Sequence, residues 1–309
     1  MKSVFFRRRM TVLLLCMLLV AGTAAAELVQ EEKTFPVVVE WATHPNLWKD
    51  FAFDPEAELL EIWMPDIRDA DASVLLYQGH AWMIDCGDER AAKRAALLLR
   101  QLGITRVEKL FNSHPHHDHL SGLALIDDVA HVEELLICFP EDATEHMKQA
   151  MTLAGERGIT VEHYADGDDF AMGDGKVSLH VWQNTEETLR MNEQSAQMML
   201  RFGERSMLFT GDMEKPGQRA LLERVGAEAL KADVLKYPHH GKLGLVDEYL
   251  EAVAPKLAVI TNYRQYGESY YYLGLHGVNM VYTNRDKIFL RLATDGKHWV
   301  CEYVPIEVK

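Results

Sequence analysis

Six consecutive residues carry the densest chemistry in this chain: His114, Pro115, His116, His117, Asp118 and His119. Four of them offer an imidazole nitrogen and one a carboxylate, donors that suit zinc and also iron or manganese. The pattern is H-x-H-x-D-H, filled by His114, His116, Asp118 and His119. Histidines two apart point to one side of an extended backbone and can pinch a single cation. Asp118 and His119 follow once the chain turns, so they can face a second cation beside the first. A solvated histidine-rich loop with adventitious metal affinity is the plain alternative, and two later segments tell against it. Thr210-Gly211-Asp212 brings an acid beside a glycine that lets backbone approach closely, and Pro238-His239-His240-Gly241 brings two more imidazoles. An aspartate can bridge two dications, and a pair of dications is a clamp for hydrolysis.

The candidate ligands are therefore His114, His116, Asp118, His119, Asp212 and one of His239 and His240. Neighbours on an extended strand end cannot both face the metals by alternation. His240 takes the ligand role because Gly241 behind it permits a sharp turn, and His239 is left on the substrate side. Asp85 also closes a strand, in Asp85-Cys86-Gly87; alone it reads as a turn-forming acid.

Each of these groups sits where an apolar run stops, so the elements that hold them can be read from the pattern. Val107–Asn112 is a short strand ahead of the histidine run, Met207–Phe209 precedes Thr210, and Asp233–Tyr237 precedes Pro238. Further strands are expected at Leu59–Met64, Ser73–Tyr77, Ala81–Ile84, Glu134–Phe139, Ile159–His163, Asp169–Met172, Val177–Trp182, Ala196–Phe202, Leu257–Asn262, Val278–Thr283, Ile288–Leu292 and His298–Tyr303. Glu89–Leu102 is amphipathic and stopped by Gly103; helices also follow at 120–130, 141–156, 214–230 and 247–253. Strands and helices that alternate in this way predict a layered α/β protein. The tyrosines at 263, 266, 270, 271 and 272 read as a packed loop or a contact surface.

Lys2, Arg7, Arg8 and Arg9 precede an apolar run from Met10 to Val20, and Ala24-Ala25-Ala26 supplies an A-x-A site. This is the layout of a secretory signal peptide over 1–26, with export and a mature start at Glu27 as the expectation. The apolar run is short for a bilayer span, so no stable membrane span is expected after cleavage. Residues 27–58 form an N-terminal extension and 59–309 the main domain. Residues 1–26 hold four basic and no acidic residues, which leaves 28 Lys and Arg against 47 Asp and Glu, a net −19. Such a surface repels polyanions and excludes strong nucleic-acid binding, while leaving a small anionic ester at a dication site open. Cys86, Cys138 and Cys301, odd in number and widely spaced, are no disulfide framework; the sequence leaves one bridge open, and Cys86 and Cys138, in apolar strand-like runs, read as buried thiols.

Taken in order, NSHPHHDHLSG, SMLFTGDME and ADVLKYPHHG resemble the metallo-β-lactamase superfamily. They are closer still to the exported hydrolase domains related to the bacterial competence protein ComEC. DIRDADASVLLYQGHAWMIDCG resembles that group's leading hairpin, and PKLAVITN and the closing VYTN and ATDG segments also fit. The resemblance implies an αββα sandwich of two mixed sheets with outer helices. It implies hydrolysis by a metal-bound hydroxide at two divalent cations, with zinc first and manganese or iron as alternatives. His114 and His116 would serve one cation, Asp118 and His119 the other, Asp212 would bridge them and Asp85 would orient a ligand. Asp118 and His239 are the implied catalytic side chains. The favoured substrate is a phosphodiester or related small-molecule ester; lactone or β-lactam opening is the second choice, and a non-catalytic binding module on the same scaffold the third. Relatives carry a further histidine in a G-H-T-like turn, where this chain has RMNEQSAQ with Asn192 and Ser195. Lys242 and NYRQYGESYYY stand where ComEC-like chains have Ser and a Gly-His-Pro.

Overall fold

The computed structural model describes residues 52–285 and 288–306. The proposed signal peptide and most of the extension, including the expected strand at 34–41, lie outside the described residues. In chain order the strands are β1 (Leu60–Met64), β2 (Ala72–Tyr77), β3 (His80–Cys86), β4 (Arg106–Phe111), β5 (His131–Ile137), β6 (Thr160–His163), β7 (Asp169–Met172) and β8 (Val177–Trp182). They continue with β9 (Gln197–Phe202), β10 (Arg205–Phe209), β11 (Val234–Lys236), β12 (Leu257–Ile260), β13 (Asn279–Tyr282), β14 (Ile288–Thr294) and β15 (Trp299–Pro305). The helices are α1 (Glu89–Leu102), α2 (His117–Leu120), α3 (Leu123–Asp127), α4 (Glu145–Arg157), α5 (Lys215–Val225), α6 (Ala227–Leu230), α7 (Asp247–Val253) and α8 (Ser269–Leu275).

Two sheets face each other. The first has eight strands in the order β15-β14-β1-β2-β3-β4-β5-β6, the second seven in the order β13-β12-β11-β10-β9-β8-β7. Both are mixed: β3 to β6 run parallel, as do β10 to β13, and the remaining pairs are antiparallel. Alternation along the central strands explains the layering. In β12, Leu257 and Val259 turn into the space between the sheets, where they join Trp82, Ile84 and Phe111 of the first sheet and Leu200 and Phe209 of the second. Ala258 and Ile260 turn outward to Leu221, Tyr249 and Leu273 of the helices on that side. The far face of the first sheet is covered in the same way, with Val74, Met83 and Leu135 packed on Ala92, Leu99, Ile126 and Met147. Strands buried on both faces read as unbroken apolar runs, and each fully buried large side chain contributes about 1.5–3 kcal/mol. This is the four-layer αββα arrangement.

Local signals set the helix ends. Asp88 caps α1 by accepting the Ala91 N–H at 2.6 Å, and Gly103 ends it in the left-handed conformation. Thr144 caps α4, so that helix begins later than its apolar pattern suggests. Three expectations are corrected. The helix expected over 120–130 is two short pieces, and the first, α2, already includes Asp118 and His119. The helix over 214–230 breaks at Gly226, which sits at φ 78. The tyrosine segment is not a loop throughout: Tyr270, Tyr271 and Tyr272 lie on α8, with the Tyr272 hydroxyl donating to Asp247 at 2.8 Å.

Candidate metal centre

Strand direction gathers the site. β3 and β4 run parallel, so Asp85 and the histidine run leave the first sheet at one edge. β10, β11 and β12 run parallel in the second sheet and deliver Asp212, His239 with His240, and Thr261 to the facing edge. β2 runs antiparallel to β3, so its first residues, preceded by Asp71, come back to that same edge.

Asp212 is the middle of the cluster. Its Oδ1 lies 3.1 Å from His119 Nε2 and 3.5 Å from His240 Nε2. Its Oδ2 lies 3.9 Å from His114 Nε2 and 3.6 Å from His239 Nε2. His114 Nε2 stands 3.0 Å from His116 Nδ1, the pinch expected of residues two apart on extended backbone. Asp118 Oδ2 stands 3.3 Å from His240 Nε2. Every residue proposed from the sequence as a ligand is thus at this edge. His117 is not part of it, since its side chain is 60% exposed. His180 pairs with Asp169 at 2.8 Å on β8 and also stands apart.

The opposite ring nitrogens are held by oxygen. His119 Nδ1 faces Asp85 Oδ2 at 2.8 Å, and Asp85 also accepts from Ser113 N–H and hydroxyl, both at 2.7 Å. His240 Nδ1 faces Asp71 Oδ1 at 3.1 Å and the Thr261 hydroxyl at 3.0 Å. Carboxylates that hold the far nitrogen fix ring orientation and tautomer, as around many metal sites.

Asp71, His119, Asp212 and His240 offer donor atoms within 4.8 Å of one another. Asp71 is nevertheless spent as a ligand. Its Oδ1 accepts from Thr261 at 2.6 Å and faces His240, and Lys236 pairs with its Oδ2. Asp118 is the less committed carboxylate on that side, with Oδ2 3.3 Å from His240 Nε2 and Oδ1 3.5 Å from His117 Nδ1. Lys236, 2% exposed, also donates to Gly211 O at 3.0 Å, so one buried ammonium ties the β10, β11 and β2 ends together.

Nothing in the sequence pointed to Asp71, Lys236 or Thr261 as parts of the site. Asp71 lies just ahead of a strand, whereas the other candidate ligands lie at strand exits. The available signal was the run of acids Asp66, Asp69 and Asp71 ahead of an apolar strand.

His239 and His240 depart from the alternation expected of them. Both backbones are left-handed, at φ 50 and φ 53, and both rings reach Asp212. Two successive non-glycine residues in that region cost about 1–2 kcal/mol each, a strain that persists only where the surroundings fix it. Gly241 follows at φ 89, with its Cα so close to Ser269 and Ile260 that a Cβ would overlap both.

A cation fits this set. His119 Nε2 and Asp212 Oδ1 face each other at 3.1 Å, buried and without a well-aligned hydrogen bond, which is costly unless an ion satisfies them. Asp71, Asp85, Asp118 and Asp212 are four buried carboxylates against the Lys236 ammonium and the His119 and His240 rings, whose charged forms these carboxylates favour, so negative charge stays in excess and needs a counter-ion. Burial alone would raise the pKa of Asp212; His240, His119 and His114 instead hold it well below the carboxylate range. Burial opposes charge on His119, yet Asp212 and Asp85 hold its pKa well above the usual imidazole value. Burial, with His119 adding to it, pushes His114 well below.

Fold and site together define a metal-dependent hydrolase, and the chain belongs to the metallo-β-lactamase superfamily, whose sequence profile matches residues 65–260. Among curated proteins it is similar to ComE operon protein 3 of Bacillus subtilis (strain 168), at 28% identity over 163 residues. That match covers 52% of this chain and 20% of the relative, so the chain spans about one fifth of the relative's length. Among solved structures it is similar to the metallo-β-lactamase fold protein YhfI from Bacillus subtilis, at 10% identity and a TM-score of 0.50, covering 80% of this chain and 100% of that one. That likeness concerns the fold. No helix among the described residues is long and apolar enough to cross a membrane.

Proposed function

We propose that this chain is an exported hydrolase with two divalent cations, zinc first, acting on a phosphodiester or related small-molecule ester. The observation that carries the reading is Asp212, whose two carboxylate oxygens face different histidine groups. His114 and His116 would hold one cation, Asp118, His119 and His240 the other, and Asp212, between the two groups, would serve both. Bound cations would supply a water of lowered pKa and Lewis-acid polarisation of the ester.

The chain's own residues do the rest. Asp85 and Asp71 fix the rings of His119 and His240 through their Nδ1 atoms. Burial alone would raise the Asp118 pKa, but its bond to His240 and the charges of His119 and His240 bring it well below the usual range. So strong an acid orients a water by accepting its hydrogen bond and does not keep its proton. His116, His239 and Lys242 are only partly buried and mark the open side of the site. The Lys242 backbone N–H donates to His239 O at 3.0 Å, which places a cationic residue near the mouth and favours an anionic substrate despite the acidic surface. The signal-like N-terminus supports export. The division into residues 1–26, 27–58 and 59–309 belongs to the same reading.

The test is metal analysis of protein spanning 27–309, with a panel of a chromogenic phosphodiester, a lactone and a cephalosporin. The phosphodiester should be cleaved, with activity lost to a chelator and restored by zinc or manganese. Asp212→Asn should lose both cations and at least about 10³-fold in rate, as removal of a group essential to charge stabilisation does. Metal-loaded protein that opens the lactone or cephalosporin and ignores the phosphodiester would refute the substrate class.

A further inference from the structure

The first cation of this reading has only two histidines, because residues 190–197 bring none. Ser195 does not take the place of a third. It is fully buried, and its hydroxyl accepts the Asp212 N–H at 3.3 Å, which commits it to the loop. The segment has another use. Arg190 donates to Glu193 Oε1 through Nε at 2.9 Å and Nη2 at 2.6 Å, and reaches Glu214 Oε2 at 2.6 Å. Asn192 Nδ2 donates to Glu214 Oε1 at 3.4 Å. Glu214 Oε1, so placed, stands 3.2 Å from His239 Nδ1, and the opposite nitrogen of that ring stands 3.6 Å from Asp212 Oδ2.

The half-buried His239 ring takes the same direction as the buried rings of the centre, with an ion-pair distance to Glu214 at Nδ1 in place of a well-aligned hydrogen bond. His119 and His240 both turn Nε2 toward Asp212 and Nδ1 toward a carboxylate. His114 turns Nε2 toward Asp212 and Nδ1 toward the Ser113 hydroxyl at 3.2 Å. The oxygen that faces His239 is the oxygen that faces His114, so His239 belongs to the half of the centre that lacks a nitrogen. The left-handed backbone at both 239 and 240 is what turns two adjacent rings inward together.

We propose that His239 is the third imidazole ligand of the His114/His116 cation, oriented by Glu214, which Arg190 and Asn192 hold. This replaces the substrate-side role expected from the sequence and rests on the two-cation reading above. Residues 190–197 here anchor the carboxylate behind a ligand from another strand. The His239-His240 pair then spans both cations.

The experiment loads wild type, His239→Ala, His239→Gln, Glu214→Gln and His116→Ala with zinc, dialyses them and measures metal per chain and the affinity of each step. Cobalt(II) absorption follows the coordination of the first cation, and thermal melts confirm folding; His239→Gln keeps the side-chain volume if His239→Ala fails to fold. Wild type should hold two cations. Both His239 variants should hold one, as should His116→Ala, and Glu214→Gln should bind the first cation about 10–100-fold more weakly. Unchanged affinity for both cations in either His239 variant, with the first cation lost in His116→Ala, overturns this assignment and leaves the two-cation reading standing. Wild type that holds a single cation, unaffected by His116→Ala, sinks both.

Discussion

His119 and His240 carry the positive charge of the metal-free centre. Burial disfavours charge on each ring, but Asp212 with Asp85 holds His119 well above the usual imidazole value, and Asp212 with Asp71 raises His240. His114 and His116 are pushed down, by burial first and then by the charge of His119. Cations bind neutral imidazole. Filling the Asp118/His119/His240 half at neutral pH therefore expels protons, while the His114/His116 half is already neutral. The expected release is about one to two protons per loaded chain, so affinity falls about tenfold per pH unit for each proton as pH drops. Calorimetric zinc titrations in buffers of different ionisation enthalpy read this number, and a release of zero would contradict the ring charges. In the metal-free protein the raised His119 pKa stabilises the fold below the ordinary imidazole range. That contribution is lost as pH rises through the raised value.

The short element α2 is held in place by a close backbone contact just beyond its last residue. Gly122 ends the loop against the exit of β3, where an added Cβ would lie 2.1 Å from Cys86 O and 2.7 Å from the Ala92 side chain. The close approach is cemented by the Gly122 N–H donating to Gly87 O at 2.8 Å. Backbone cannot yield as a flexible side chain can, so Gly122→Ala should push α2 off β3 and move Asp118 and His119 with it. The expected loss is about 1–3 kcal/mol, together with weaker metal retention. Gly155, inside α4, has open space where its Cβ would go, so Gly155→Ala should stabilise by about 0.5–1 kcal/mol. Chelator-treated thermal melts of the two variants should move in opposite directions; a neutral Gly122→Ala would mean that the contact with β3 does not position α2.

Across the whole molecule, both sheets are buried on two faces; Cys86 and Cys301 share that burial and Cys138 is half-buried. Cys86, Cys138 and Cys301 are free. Burial pushes the Cys138 thiol up to about 12, and Cys86 and Cys301 higher still. A thiol held protonated is a poor nucleophile, so a disulfide reagent should find no fast-reacting group among the three until denaturant is added. A rapid reaction in the folded protein would mean that one of these layers opens readily.

Local sequence signals marked the elements and most of the candidate ligands. Apolar runs buried on both faces marked the strands, Gly103 and Gly158 marked helix ends, and the H-x-H-x-D-H run, Asp212 and the histidine pair stood out because such groups are rare at strand exits. These signals are local, set by residues within a turn or a strand of each other. Tertiary structure decided what depends on strand direction and on backbone shape. Asp71 joins the site because β2 runs against β3, so the start of one strand meets the end of the next. Lys236 matters because one buried ammonium meets Asp71 and Gly211, residues far apart in the chain. His239 turns inward because two left-handed residues replace the alternation of an extended strand. None of these three is visible in spacing, since each arises from partners brought together only when the two sheets close.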